Sequence, residues 1–208
     1  GNSMRSIKSL VAAFAVAMLF VPGASAGTDL NEVGALLVYP LIVASNVGPM
    51  AGVETFATIT NSGPGDVVAH VSYINGNWND SVNYCNECNF PIPLTGNDTE
   101  TLVISNTGGG THIWAEDLSV DVTCPWTQGM LIVTLEDENG DTITDNVLLG
   151  EEVVVNYTAG AAFSIPAIPF QGGTGNGDHE FDFNDVEYGK LPRIVAADYL
   201  APHINGTG

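Results

Sequence analysis

Gly177-Asp178-His179-Glu180-Phe181-Asp182-Phe183-Asn184-Asp185-Val186-Glu187-Tyr188 is the densest run of oxygen donors in the chain, and it follows a glycine-rich loop, Gly172-Gly173-Thr174-Gly175-Asn176. Acidic and amide residues alternate with Phe181, Phe183, Val186 and Tyr188. The alternation predicts a loop running into a strand, with oxygens on one side and rings on the other. Hard cations are held by such oxygen arrays. Asp178, Asp182, Asn184 and Asp185 have the spacing to wrap a calcium ion, with Glu180 and Glu187 in reserve. Backbone carbonyls and water would complete the shell. The order is not that of an EF-hand, because the glycine and the terminal bidentate glutamate are misplaced.

Three cysteines form the second chemical set: Cys85, Cys88 and Cys124. In an oxidising compartment they pair. The expected bridge runs from Cys124 to Cys85 or Cys88, across several strands, and a Cys85–Cys88 bridge is the alternative. Cys85-Asn86-Glu87-Cys88 lies in an Asn-rich loop rather than at a helix start, which argues against a thioredoxin-type redox role. A zinc site from the cysteines with His112 competes with oxidation. The third set is aromatic: Trp78, Tyr84, Trp114 and Trp126 lie in or beside predicted loops, where rings can stack on sugars or cap the ends of the fold. Nucleophilic catalysis lacks a G-x-S-x-G, and His70 reads as a half-buried strand residue. With 24 acidic residues, carboxylate pairs such as Glu116-Asp117 or Glu151-Glu152 arise without meaning.

What positions these residues is a strand-rich chain behind a leader. Gly1-Asn2-Ser3 reads as a cloning scar, and Arg5 and Lys8 precede a short apolar run that ends at Ala24-Ser25-Ala26. That is the pattern of a secretory signal peptide, residues 1–26, too short for a membrane anchor. Cleavage removes two of only four basic residues from a chain of net charge −20. Nucleic acid is excluded as a partner for want of cations to displace counterions, and stable membrane insertion after cleavage is not expected. Hydrophobic residues make up 45% and charged residues 13%, so there is material for a packed interior rather than a disordered chain.

Strands are predicted at 33–44 (with Pro40 at an edge or bulge), Val53–Asn61, Val67–Asn75, 90–94 (an edge, from Pro91 and Pro93), 99–105, 130–136, 142–149, 152–158 and 161–170, with a shorter one within 112–123. Asn139-Gly140 marks a hairpin. Helix is expected only in the signal peptide and at 195–200. Short strands with Gly and Pro punctuation predict an all-β, antiparallel β-sandwich over residues 27–208, of immunoglobulin-like or jelly-roll type. The mildly apolar end of the chain reads as the start of another element, so the domain is expected to be the N-terminal part of a longer protein.

Two local resemblances point to a setting. Strand, Asn61-Ser62-Gly63-Pro64-Gly65-Asp66 and strand together resemble the opening hairpin of the immunoglobulin-like conserved-repeat modules of bacterial and archaeal surface proteins. Asp182-Phe183-Asn184-Asp185-Val186 resembles the D-F-N-D-V signature of LruC-like β-rich surface and secreted domains, whose acidic run is associated with a calcium-type loop; Glu187 departs from the apolar residue usual there. These resemblances imply a secreted or cell-surface structural or adhesive module without catalysis, calcium-stabilised or self-assembling, whose partners are surface proteins, glycans or copies of itself. In the self-assembling form, residues 33–44 would pair with a neighbour's sheet edge. The aromatic set supports a carbohydrate-binding module as the alternative, and an extracellular hydrolase is the second alternative.

Overall fold

The structure, a computed structural model, describes residues 32–76, 86–115, 120–137, 139–173 and 187–189. Twelve strands form two antiparallel sheets, and no α-helix occurs among the described residues. The first sheet contains β1 (Leu36–Val43), β3 (Val67–Asn75), β4 (Glu87–Leu94), β8 (Gln128–Glu136), β9 (Thr142–Ile143) and β12 (Ile168–Phe170). Its order is β12-β1-β8-β3-β4, with β9 also on β8. The second has the order β11-β10-β2-β5-β6-β7. Its members are β2 (Val53–Asn61), β5 (Asp98–Asn106), β6 (Thr111–Trp114), β7 (Asp121–Cys124), β10 (Leu148–Asn156) and β11 (Ala161–Pro166).

Period-two patterning explains the layers. Along β2, Val53, Thr55, Ala57, Ile59 and Asn61 are buried and the residues between them are not. The inner faces meet in one core, where Ala57, Ile59, Leu102, Ile104 and Ile113 of the second sheet join Tyr39, Val71, Ile92, Leu131 and Val133 of the first. The arrangement is that of a β-sandwich, as the strand pattern predicted.

Prolines mark two features. The register of β1 on β8 shifts between Tyr39 and Ile42, around Pro40. In β4, Pro91 and Pro93 face outward at the sheet edge. Asn75 N–H donates to the Asn86 carbonyl at 2.8 Å, so even-numbered residues of β4 bond to β3, and odd-numbered residues, both prolines among them, turn their backbone to the open side. The Asp137–Asp141 turn closes the predicted hairpin. Asp137 Oδ1 accepts from the N–H groups of Asn139 and Asp141 at 2.8 and 2.9 Å, and Gly140 takes φ +84°.

Three expectations need correction. The Asn61–Asp66 turn is not a hairpin: β2 and β3 lie in different sheets, and the turn arches between them. Asn61, fully buried, holds the arch. Its amide donates to the carbonyls of Gly65 (2.7 Å) and Thr95 (3.0 Å), and its Oδ1 accepts from Gly63 N–H (2.9 Å). The predicted 142–149 strand is split, β9 staying with β8 and β10 crossing to the other sheet. Asn146, between them, bonds to Gly172 instead of a ladder partner. The 161–170 run also changes sheets, at Ala167, whose N–H still donates to the Gly150 carbonyl at 2.9 Å. Residues 195–200, the predicted second helix, lie outside the described residues.

Candidate functional site

The residues singled out for calcium, Asp178, Asp182, Asn184 and Asp185, lie outside the described residues, as do Glu180, Cys85, Trp78 and Tyr84. The two ends of the acidic stretch are described, and they meet. Gly172 bridges Tyr188, Gly173 N–H donates to the Glu187 carbonyl at 2.7 Å, and Gly189 N–H to the Gln171 carbonyl at 3.0 Å. Tyr188 is fully buried against Ala35, Leu36 and Phe170. Thr144 and Asn146 donate to the carbonyls of Gly173 and Gly172. The described residues that flank the acidic stretch are therefore pinned side by side.

Cys88 and Cys124 form a disulfide with Cα atoms 6.2 Å apart, one of the two expected pairings for Cys124. Cys88 is on edge strand β4 and Cys124 on edge strand β7, so the bond ties one edge of each sheet to the other. As disulfide sulfurs they are not thiolate ligands, and His112 is engaged elsewhere: its Nε2 lies 2.8 Å from Asp121 Oδ1. His70 is half-buried, with Nδ1 2.8 Å from Glu136 Oε1.

Trp126 is corrected from a loop aromatic to a core one. It is 5% exposed and its ring meets Tyr73 with centroids 5.7 Å apart, which leaves no face for a sugar. Trp114 is different. The registers of six strands place Ser164, Val153, Phe56, Val103, Trp114 and Asp121 directly side by side across the second sheet. Opposed residues of an antiparallel ladder share a face, and this row is on the outer one. Val153, Phe56, Val103 and Trp114 are each only half-buried there, forming an apolar lane. On one side runs a hydroxyl lane, with Thr58 opposite Thr101 and Thr60 opposite Thr99. The Thr60 and Thr99 hydroxyls are 2.8 Å apart. On the other side lie Glu54, Ser105 and the His112–Asp121 pair, and Tyr157, 59% exposed, hydrogen-bonds Glu54. The result is a broad, open sheet face with a half-exposed aromatic lane between polar borders. Sequence reasoning missed Phe56, Val103 and Val153, because each looks like an ordinary strand residue until the pairing partners are known.

A buried and perturbed carboxyl lies on the opposite face of the same sheet. Glu151 and Glu152 are neighbours in β10 but point to opposite sides, which prevents their acting as a catalytic pair. Glu151 is exposed and accepts from Ser164 Oγ at 3.1 Å. Glu152 is fully buried between the sheets. Its Oε1 accepts from Leu41 N–H at 3.1 Å, a donor freed by the irregularity at Pro40, and its Oε2 has no hydrogen-bond partner. Burial pushes its carboxyl up to about 8, with the Leu41 N–H opposing. Tyr39 beside it is pushed well above the usual phenol range, first by burial and then by the Glu152 charge, and its hydroxyl donates to the Thr58 carbonyl at 2.6 Å.

At the far end of the first sheet an open groove of about 450 Å³ is lined by Val67, Val68, Pro93, Leu94 and Ile143, with Asp66, Glu136 and Asp137 on its rim. Compared with known proteins, the chain matches no family model, no curated protein and no solved structure.

Proposed function

We propose that this chain is a non-catalytic, secreted or cell-surface structural or adhesive module that makes contact through the outer face of its second sheet. The observation that carries the reading is the lane Val153, Phe56, Val103 and Trp114. A sheet face that served only to be solvated would alternate its buried residues with polar ones. Here aligned apolar side chains stay partly open to solvent, bordered by threonines, as contact surfaces are. The leader-like first 26 residues and the edge-to-edge disulfide fit an extracellular setting. Within β-sandwiches we place the domain in the immunoglobulin-like or jelly-roll class.

A carbohydrate-binding module is the second reading, favoured by Trp114 lying on this open face next to the hydrogen-bonding groups of His112 and Asp121. A planar ring flanked by such groups suits a sugar ring. Both readings are tested by co-sedimentation of the chain with chitin, cellulose, peptidoglycan and protein-coated beads, beside a glycan array. Trp114→Ala and Phe56→Ser should reduce retention at least about tenfold, the loss of about 1.4 kcal/mol of contact, with unchanged melting. Competition by soluble oligosaccharide selects the carbohydrate reading. Retention that is the same in both variants and the parent would refute the face as the contact surface.

A further inference from the structure

We propose that strand β11 is the seam of a symmetric dimer, in which two copies of this chain join their second sheets edge to edge. The inference does not rest on what the outer sheet face binds.

Among the described residues the two sheets end in four outer strands, and three of these are blunted. β4 presents Pro91 and Pro93 at its outward positions. β12 has three residues with Pro169 at the centre. β7 has four residues, begins with Asp121 and is tied down by the Cys88–Cys124 bond. Proline, shortness and charge are the devices by which natural sheets prevent edge pairing. β11 has none of them before its last residue. It runs Ala161-Ala162-Phe163-Ser164-Ile165-Pro166, carries no charge, pairs among the described residues only with β10 and is largely exposed.

Its open side is self-complementary. Ala167 N–H bonds to the Gly150 carbonyl, so the odd-numbered residues of this strand face β10 and Ala162 and Ser164 turn their N–H and C=O groups outward. Two antiparallel copies centred on Phe163 set Ala162 opposite the partner's Ser164, and Ser164 opposite the partner's Ala162. All four outward donors are then satisfied, and Pro166 ends the ladder. The two Phe163 residues meet on the two-fold axis as a non-hydrogen-bonded pair, where side chains approach most closely. Ile165 falls opposite Ala161, large against small.

The second copy also completes something this one leaves open. Phe163, Leu41 and Met50 are partly buried around a small apolar cluster of Val43, Val53 and Val154 at this end of the sandwich. Pairing across Phe163 joins the two clusters into one. The chain's net charge of −20 opposes association, but the nearest carboxylate, Glu151, is on β10. Two such groups would stand three strand spacings apart laterally and about six residues apart along the strands, about 25 Å in all, beyond the screening length of about 8 Å at physiological salt. The charge therefore places no close repulsive pair at the seam.

Sedimentation velocity across a concentration series tests the seam. The chain should sediment as a dimer at tens of micromolar. Ala162→Pro removes one outward donor per copy without touching the β10 ladder, and should raise the dimer Kd about 10- to 100-fold, with the melting midpoint unchanged at dilutions where both proteins are monomeric. Register is read by cross-linking in a Cys85→Ser background. Phe163→Cys should oxidise to a covalent dimer, while Ala161→Cys, whose partner is residue 165, should not. A chain that stays monomeric up to about millimolar (the weak end of specific affinity), an Ala162→Pro variant that dimerises as tightly, or equal cross-linking of the two cysteine variants would each overturn the proposal. Capture of an extended peptide by a monomeric chain would assign the edge to a different occupant and overturn it as well.

Discussion

Replacing Glu152 by glutamine should make the fold more stable at alkaline pH and leave it nearly unchanged in acid. In the unfolded chain this carboxyl titrates near its ordinary value of 4.5; in the fold, burial holds it up to about 8. Between those values the native state keeps a proton that the unfolded state has released. Stability contributed by the protonated group is therefore fully present below about 4.5 and is lost as pH rises through about 8. Each pH unit in that window removes about 1.4 kcal/mol, so roughly 3–5 kcal/mol should disappear between about pH 5 and about pH 8. Glutamine is neutral throughout. Its amide oxygen can keep the bond from Leu41 N–H, and its other end carries no charge into a site where Oε2 finds no partner. Urea denaturation at both pH values, with the disulfide intact, gives the two stabilities for each protein. The difference between parent and variant isolates this site, because the remaining side chains are shared. Parallel pH profiles, or a variant that is weaker at alkaline pH, would refute the assignment of a buried, proton-retaining carboxyl.

The other predictions concern covalent, steric and ionic restraints. Breaking the Cys88–Cys124 bond, which links residues at a sequence separation of 36, should cost about 4 kcal/mol of unfolding free energy by the loop-entropy relation; melting with and without reductant measures it. Gly150→Ala should cost about 2–4 kcal/mol, because its Cβ would overlap the Tyr39 hydroxyl oxygen and displace the bond to Thr58. A nearly unchanged urea midpoint would mean that Tyr39 is not seated over that glycine. Calcium at millimolar concentration should raise the melting midpoint relative to chelator if the acidic stretch from Asp178 to Asp185 holds the ion, since a ligand that binds only the folded chain stabilises it. Asp182→Asn with Asp185→Asn should abolish that rise, and the absence of any shift in the parent would remove calcium from the account.

Local chemistry in the sequence determined much of this molecule. The β-branched and aromatic content of Val53–Asn61 and Val67–Asn75, bounded by turn residues, identified both as strands. Pro91 and Pro93 placed β4 at an edge, because a residue without an N–H cannot sit inside a ladder. Asn139-Gly140 gave the hairpin onto β9, and the cysteine count narrowed the bridge to a few pairings, one of which forms.

Partner choice was decided only by the tertiary structure. Whether the turn at Asn61–Asp66 closes a hairpin or arches between sheets depends on whether the next strand finds β2 or β8, and turn residues serve either. The sheet change at Ala167 and the split between β9 and β10 have the same origin. Glu152 looked like half of an uninformative acidic pair, and its environment appeared only when β1, with its irregularity at Pro40, packed across it from the other sheet. The lane from Val153 to Trp114 joins residues from four strands, of which only β5 and β6 are consecutive in the chain. Register is set by long-range hydrogen bonds and burial, so a single strand read alone cannot show which side chains become neighbours. The sequence by itself determined most of the strands and the edge at β4, which follow from local chemistry; the pairing of strands decided the core, the other edges and which residues stand together on an open face.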